Sequence, residues 1–383
     1  MAFVGTPLPS VRASAQSGNP LGALRSRGRA PAPALRAARG ARARTVVRAA
    51  AAPTTSDAPL YPLTSTLTSG LPAGQRHFLR VDDLKTEELR TVLSTAAALR
   101  ARIEGDPDYS PLSKKTLALL FAKASARTRV SFETGAFMMG GHAVVLGPEV
   151  GVGTRESPKD VARVLSQFNN LIMARLFGHD QLLELAAAST VPVINGLTDY
   201  NHPCQLLADA LTIIECRGSV DGAKVVYVGD GNNMVHSWLE LAAVLPMDFV
   251  CACPPGYEPL PEAVAATRAA GLSTVTISHD PMDAVVGADV IYTDVWASMG
   301  QKEEIEARER AFRGFTVDAA MMAATGKTDT LFLHCLPAER GREVTDEVME
   351  SAASVVFQQA GNRMHAQNAI VLHCLGLLDT VSG

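Results

Sequence analysis

Two arginines, Arg127 and Arg129, sit among small hydroxyl residues in the stretch FAKASARTRVSFETG, residues 121–135, just after the apolar run Leu117–Ala122. A strand that runs out into Ser125-Ala126-Arg127-Thr128 and then enters a helix gathers amide N–H groups, hydroxyls and a guanidinium at one sheet end. The natural guest of that donor set is a phosphate. Without a ligand, the same residues read as a capped helix with solvated arginines. Arg175 closes a second apolar run, Ile172-Met173-Ala174, so two cations belong to strand ends in the same half of the chain.

Four further clusters have the same placement. In Asn201-His202-Pro203-Cys204-Gln205, the proline suits a first helical turn and sets His202 at the cap, where a histidine is biased neutral and can donate to a carbonyl oxygen; Gln205 lies about one turn on. Val226-Tyr227-Val228-Gly229-Asp230-Gly231-Asn232-Asn233 has the strand, glycine turn and helix order of a dinucleotide site. Met234 stands where its third glycine belongs, which weakens a nicotinamide reading. In Asp294-Val295-Trp296-Ala297-Ser298-Met299-Gly300, an acid and a hydroxyl share one loop and could hold an amine. His334-Cys335-Leu336-Pro337, with Asn362-Arg363-Met364-His365 further on, brings a thiol out of a strand; nearby cations would make it reactive, and plain burial would make it inert.

Such groups meet only if parallel strands carry them to one edge. From about residue 76, short apolar runs alternate with helical stretches. The strands expected are Thr116–Ala122, His142–Leu146, Leu171–Leu176, Val191–Asn195, Lys224–Val228, Asp248–Cys253, Asp289–Thr293 and Thr330–His334. Helix starts are expected near Thr86, with its two glutamates, and at Ser157-Pro158-Lys159-Asp160. The fold class is therefore α/β. Two open parallel-sheet domains with helices on both faces are preferred to a single eight-stranded barrel. Active sites of open sheets lie beyond the strands' carboxyl ends. The helical stretch Pro203–Arg217 and the following Gly218–Gly222 divide the halves, giving domains at 76–215 and 222–355.

The N-terminus differs from the rest. Its first 56 residues hold nine arginines, no lysine and no acid before Asp57. Residues 1–55 are read as a disordered organelle transit peptide, with a basic nucleic-acid tail as the alternative. Without those arginines, 26 basic residues face 39 acidic ones, near −13, which argues against nucleic acid as a partner. Apolar runs are too short for a membrane span. The six cysteines are scattered without CxxC spacing, so no metal site is expected.

Taken together, the five clusters resemble the aspartate/ornithine carbamoyltransferase family over about residues 76–380. Ser-x-Arg-Thr-Arg and His-Pro-x-Gln are motifs of the whole family; Ser298-Met299-Gly300 and His334-Cys335-Leu336-Pro337 resemble its ornithine branch. The resemblance implies transfer of the carbamoyl group of carbamoyl phosphate to the δ-amine of L-ornithine, giving citrulline for arginine biosynthesis, without a cofactor. It implies that Ser125, Ala126, Arg127, Thr128 and Arg175 hold the phosphate. Arg127, Thr128 and His202 would polarise the carbamoyl oxygen, and Gln205 would hold the carbamoyl amide. Cys335, Leu336 and Arg363 would complete that end, while Asn233, Asp294, Ser298 and Met299 would hold ornithine. Asp294 and Cys335 are the candidates to receive the amine's proton, the thiol being the better matched by its ordinary pKa.

The same resemblance implies a homotrimer with sites between subunits and a C-terminal helix (362–380) that packs back on the first domain; the transit segment itself points to the chloroplast stroma or, alternatively, the mitochondrial matrix. Two positions depart from the family pattern. Ala126 replaces a common threonine, and Gly151 falls where relatives place a side chain reaching the neighbouring subunit. Carbamoyl transfer to aspartate, putrescine or acetylornithine, a nicotinamide-dependent oxidoreductase and a non-catalytic trimer remain as rival readings.

Overall fold

A computed structural model describes residues 67, 70–297 and 305–381; the expected transit segment, Ser298 and Met299 lie outside these residues. The first half runs α1 (Thr86–Gly105), β1 (Thr116–Phe121), α2 (Ala126–Met138), β2 (His142–Leu146), α3 (Pro158–Phe168), β3 (Leu171–Arg175), α4 (His179–Ala188), β4 (Val193–Leu197) and α5 (Pro203–Arg217). Next come β5 (Lys224–Val228), α6 (Asn233–Val244), β6 (Asp248–Ala252), α7 (Pro261–Ala270), β7 (Thr274–Ser278), α8 (Pro281–Ala284) and β8 (Val290–Thr293). The chain ends with α9 (Ile305–Ala311), α10 (Ala319–Ala324), β9 (Leu331–His334), α11 (Asp346–Met349) and α12 (Val356–Cys374).

The strands form two parallel sheets, ordered β2-β1-β3-β4 and β7-β6-β5-β8-β9. The α/β class and the pair of open sheets agree with the expectation; a closed barrel is excluded. Strands β1, β3 and β4 are buried almost throughout, as their unbroken apolar runs require between two layers of helices. Strand β7 was missed in the sequence reading. It is the outer strand of its sheet and alternates exposed Thr274 and Thr276 with buried Val275, so no apolar run marks it. The period-two alternation of Thr-Val-Thr-Ile-Ser was the available signal. Strand β4 begins two residues later than expected, at Val193, and the last long helix begins at Val356 rather than 362.

Helix α12 lies against α5, α1 and α2, which carries its side chains to the first sheet. Helix starts follow local chemistry: the Ser157 hydroxyl accepts from the Asp160 amide with Pro158 behind it, and Ser125 does the same for Thr128. Among the described residues no helix is long and apolar enough to cross a membrane.

The glycine turn after β5 is filled by the chain itself. The Gly229 amide donates to the Ala252 carbonyl and the Gly231 amide to the Tyr257 carbonyl, both within 2.9 Å. A Cβ on Gly231 would lie 2.3 Å from the Pro259 nitrogen and 2.6 Å from the Tyr257 oxygen. Asp230 pairs with Arg308 at 2.7 Å, and Asn232 caps α6. The turn's amides are thus spent on backbone carbonyls and leave no cradle for a pyrophosphate, against the nicotinamide reading. Gly231→Ala is expected to cost about 1–3 kcal/mol, seen as a lower denaturant midpoint at unchanged slope.

Candidate active site

The carboxyl ends of β1, β3, β4, β8 and β9, with the first turn of α2 and the inner face of α12, open onto one cavity of about 470 Å³. Ser125, Ala126, Arg127, Arg175, His202, Asn233, Asp294, Cys335, Leu336 and Arg363 all line it. Arg129 does not: it turns outward to Glu133, 3.0 Å away on the exposed face of α2. Lys123, two residues beyond β1, lines the cavity as well. Its place in the same stretch as Ser125 and Arg127 was the signal that could have singled it out.

Four cations therefore share the cavity wall. Burial pulls the Arg175 guanidinium down to about 10, with Arg363 and Arg127 pushing the same way. Burial and Arg175 lower Lys123, and burial lowers Arg363 against nearby thiols. The Nε atoms of Arg175 and Arg363 are buried and lack hydrogen-bond partners among the described residues. Crowded, partly desolvated cations with spare donors are the electrostatic signature of a site for a compact, multiply charged anion.

Thr128 and Gln205 sit one layer back. Both are fully buried behind Arg363, whose Nη2 donates to the Thr128 hydroxyl at 2.8 Å and whose Nη1 donates to Gln205 Oε1 at 3.0 Å. The two residues hold a guanidinium rather than line the cavity. His202 caps α5, its backbone amide bonded to the Ser237 hydroxyl at 2.7 Å. Burial holds its imidazole well below the usual range, and Arg363, Arg175, Lys123 and Arg127 deepen the effect, so it is neutral at pH 7.

In the same cavity, Asp294 Oδ1 accepts from the Cys335 thiol at 3.0 Å and from the Val295 amide at 2.8 Å, while Oδ2 accepts from Asn232 Nδ2 at 3.1 Å. Burial first, and then the Asp294 charge, push the Cys335 thiol well above its ordinary value. This corrects the view of the thiol as the better matched proton acceptor. Cys335 is a protonated donor at neutral pH, held by the carboxylate it was weighed against.

The loop after β9 is fastened by a buried pair. His334 Nδ1 accepts from the Leu336 amide at 2.8 Å, which leaves the proton on Nε2 to donate to Glu343, 3.3 Å away. Glu343 also accepts from the Glu339 amide. Leu336 itself has φ +59, the left-handed region, at the cavity wall. Asp294, His334 and Cys335 together could hold a metal ion by spacing. Here both histidine nitrogens and the thiol are committed to hydrogen bonds, so the cluster reads as a polar network. Asn233 Nδ2 donates to the Thr198 carbonyl at 2.9 Å, which fixes its amide beside the cavity.

With that geometry in place, comparison with known proteins decides the family. Residues 76–215 match the aspartate/ornithine carbamoyltransferase carbamoyl-P binding domain, and residues 221–374 match the Asp/Orn binding domain of the same family. The chain belongs to the aspartate/ornithine carbamoyltransferase family. A chloroplastic ornithine carbamoyltransferase of Pisum sativum is 57% identical over 314 residues, covering 82% of this chain and 84% of that one. The ornithine carbamoyltransferase of Geobacillus stearothermophilus is 50% identical, covering 78% and 97%. The solved ornithine carbamoyltransferase from Pyrococcus furiosus superposes with TM-score 0.75 at 46% identity, covering 79% and 97%. Such a carbamoyltransferase has the two matched domains in the order in which this chain builds its two sheets.

The thiol pair offers a direct test. Removing the Asp294 charge removes one cause of the raised thiol pKa, so the thiolate fraction of Cys335 must rise. In Asp294→Asn, alkylation of Cys335 near pH 8 is expected to run faster than in the wild type. Mass spectrometry reads the rate, with exposed Cys216 as internal reference; equal rates would show that the carboxylate does not control the thiol.

Proposed function

We propose that this chain transfers the carbamoyl group of carbamoyl phosphate to the δ-amine of L-ornithine, releasing citrulline and phosphate. One observation carries the reading: four cations and the Asp294–Cys335 pair line the same cavity of about 470 Å³. That is room for two small substrates and little else. The names of the relatives support ornithine as acceptor.

In this reading Ser125, Lys123, Arg127, Arg175 and Arg363 take the carbamoyl phosphate anion, with the α2 amides behind it. Neutral His202 and Arg127 donate to the carbamoyl oxygen. The amine nitrogen attacks the carbamoyl carbon, charge gathers on that oxygen, and the bond to the phosphate oxygen breaks with its electron pair leaving on phosphate. Donors already aimed at the oxygen need no reorganisation, and losing one typically costs about 10²–10³ in rate. The amine must arrive neutral; an alkyl ammonium of pKa about 10.4 is roughly 4.6 kcal/mol from its neutral form at pH 7. Asp294 orients that amine and faces its departing proton, with Asn233 alongside; Ser298 and Met299 complete the ornithine end.

We further propose a place in arginine biosynthesis, a homotrimer with sites at subunit interfaces, and import into the chloroplast stroma. Exposed Val130, Phe137, Phe168 and Phe177, all in the first half, favour assembly through surfaces of that half. Gly151, at φ +68 after a short 3₁₀ turn, offers no side chain to a neighbouring site. Domains spanning 76–215 and 222–355, one for each substrate, follow the same reading.

A citrulline assay on the chain from residue 55, comparing ornithine, putrescine, acetylornithine and aspartate, tests the substrate; ornithine is expected to exceed the others by orders of magnitude. Arg127→Lys removes the planar fork and is expected to lose at least about 10² in kcat/KM. Activity is expected to rise from pH 6 towards 9 as the amine deprotonates. Since the raised Cys335 thiol does not titrate in that window, Cys335→Ala is expected to lower the rate but keep the midpoint. A shifted midpoint would return the thiol to the role of base.

A further inference from the structure

We propose that Asp209, outside the cavity, is a positioning residue that ties the anion-binding guanidinium of Arg363 to the strand end bearing Cys335. Asp209 lies on α5 and is fully buried. Its Oδ1 accepts two amide donors: Gln205 Nε2 at 2.8 Å and Gln359 Nε2 at 2.7 Å. Each glutamine passes the constraint on through its own oxygen. Gln205 Oε1 accepts from Arg363 Nη1 at 3.0 Å, and Gln359 Oε1 accepts from the His334 amide, also at 3.0 Å. His334 precedes Cys335, so a single carboxylate oxygen sets the position of groups on α5, α12 and β9.

The arrangement is costly, which argues that it serves the site. Burial pushes the Asp209 carboxyl up to about 7 against hydrogen bonds from Gln205, Gln359 and Tyr292 and the charge of Arg363. A purely apolar packing of this position would avoid that penalty. Among the described residues Arg363 has no direct carboxylate partner; Cys204, Cys335 and, one amide removed, Asp209 oppose the lowering of its pKa by burial. The guanidinium is thereby steadied without being neutralised, and its charge stays available to an incoming phosphate. Asp209 lies four residues after Gln205 on one helix face, while Gln359 reaches it from α12.

The inference rests on the carbamoyl-transfer reading, and the experiment separates the two. Steady-state constants are measured for the full chain, for Asp209→Leu, for Asp209→Asn, whose oxygen can still accept from both amides, and for Gln359→Met, with thermal melts to confirm folding. In Asp209→Leu, KM for carbamoyl phosphate is expected to rise about tenfold and kcat to fall about tenfold, and Asp209→Asn is expected to recover most of both. Gln359→Met cuts only the arm to β9, so kcat is expected to fall several-fold while KM for carbamoyl phosphate stays within about twofold. Folded Asp209→Leu with both constants near wild type overturns the proposal, as does Asp209→Asn no better than the leucine variant. If Asp209→Leu does not fold, an unchanged kcat in Gln359→Met overturns it instead. A wild-type chain that forms no citrulline overturns the carbamoyl-transfer reading, and this inference falls with it.

Discussion

Everything in the site answers to one constraint: Lys123, Arg127, Arg175 and Arg363 must be kept together in a partly dry cavity. Mutual repulsion and lost hydration both oppose that, as the lowered pKa of Lys123, Arg175 and Arg363 records. Direct pairing with carboxylates would ease the strain and abolish the use, since a neutralised guanidinium has little left for a phosphate. The protein holds these groups mainly with neutral partners: the Thr128 hydroxyl, the Gln205 amide and the Gly196 carbonyl 3.5 Å from Arg175. Dipoles fix direction and leave net charge in place.

The fold supplies the rigidity that this holding demands. Strand β3 delivers Arg175 from the middle of a buried sheet, and α12 crosses back over α5 to deliver Arg363. The second sheet brings Asp294 and Cys335 on neighbouring strand ends, β8 and β9, where the chain's own hydrogen bonds lock the carboxylate and the thiol together. One lining thus carries both kinds of group: the four cations, and an acceptor with a protonated thiol. Such a lining offers donors to an anion and an acceptor to an amine within one space.

Much of this was legible because it is local. Ser125, Ala126 and Arg127 follow a strand within six residues, His202-Pro203 writes its own cap, and continuous apolar runs announce buried parallel strands. Less was legible where burial decides. The ordinary pKa of a free thiol favoured Cys335 as proton acceptor; only its depth and the closeness of Asp294 reverse that. Thr128 and Gln205 belong to site motifs, yet three-dimensional packing turns both towards Arg363, 235 and 158 residues away. Strand β7 escaped because an edge strand needs only one apolar face. Gln359 carries no motif at all, and nothing short of the packed helix reveals it.

The glycine turn beyond β5 also governs how the second sheet is closed. Its outline is that of a nucleotide-gripping loop, but Tyr257–Pro259 already occupy the niche, and Gly231 is where the two stretches of backbone touch. A scaffold widely used to grip nucleotides is here sealed by its own chain, so any side chain at Gly231 would act as a wedge between the two stretches.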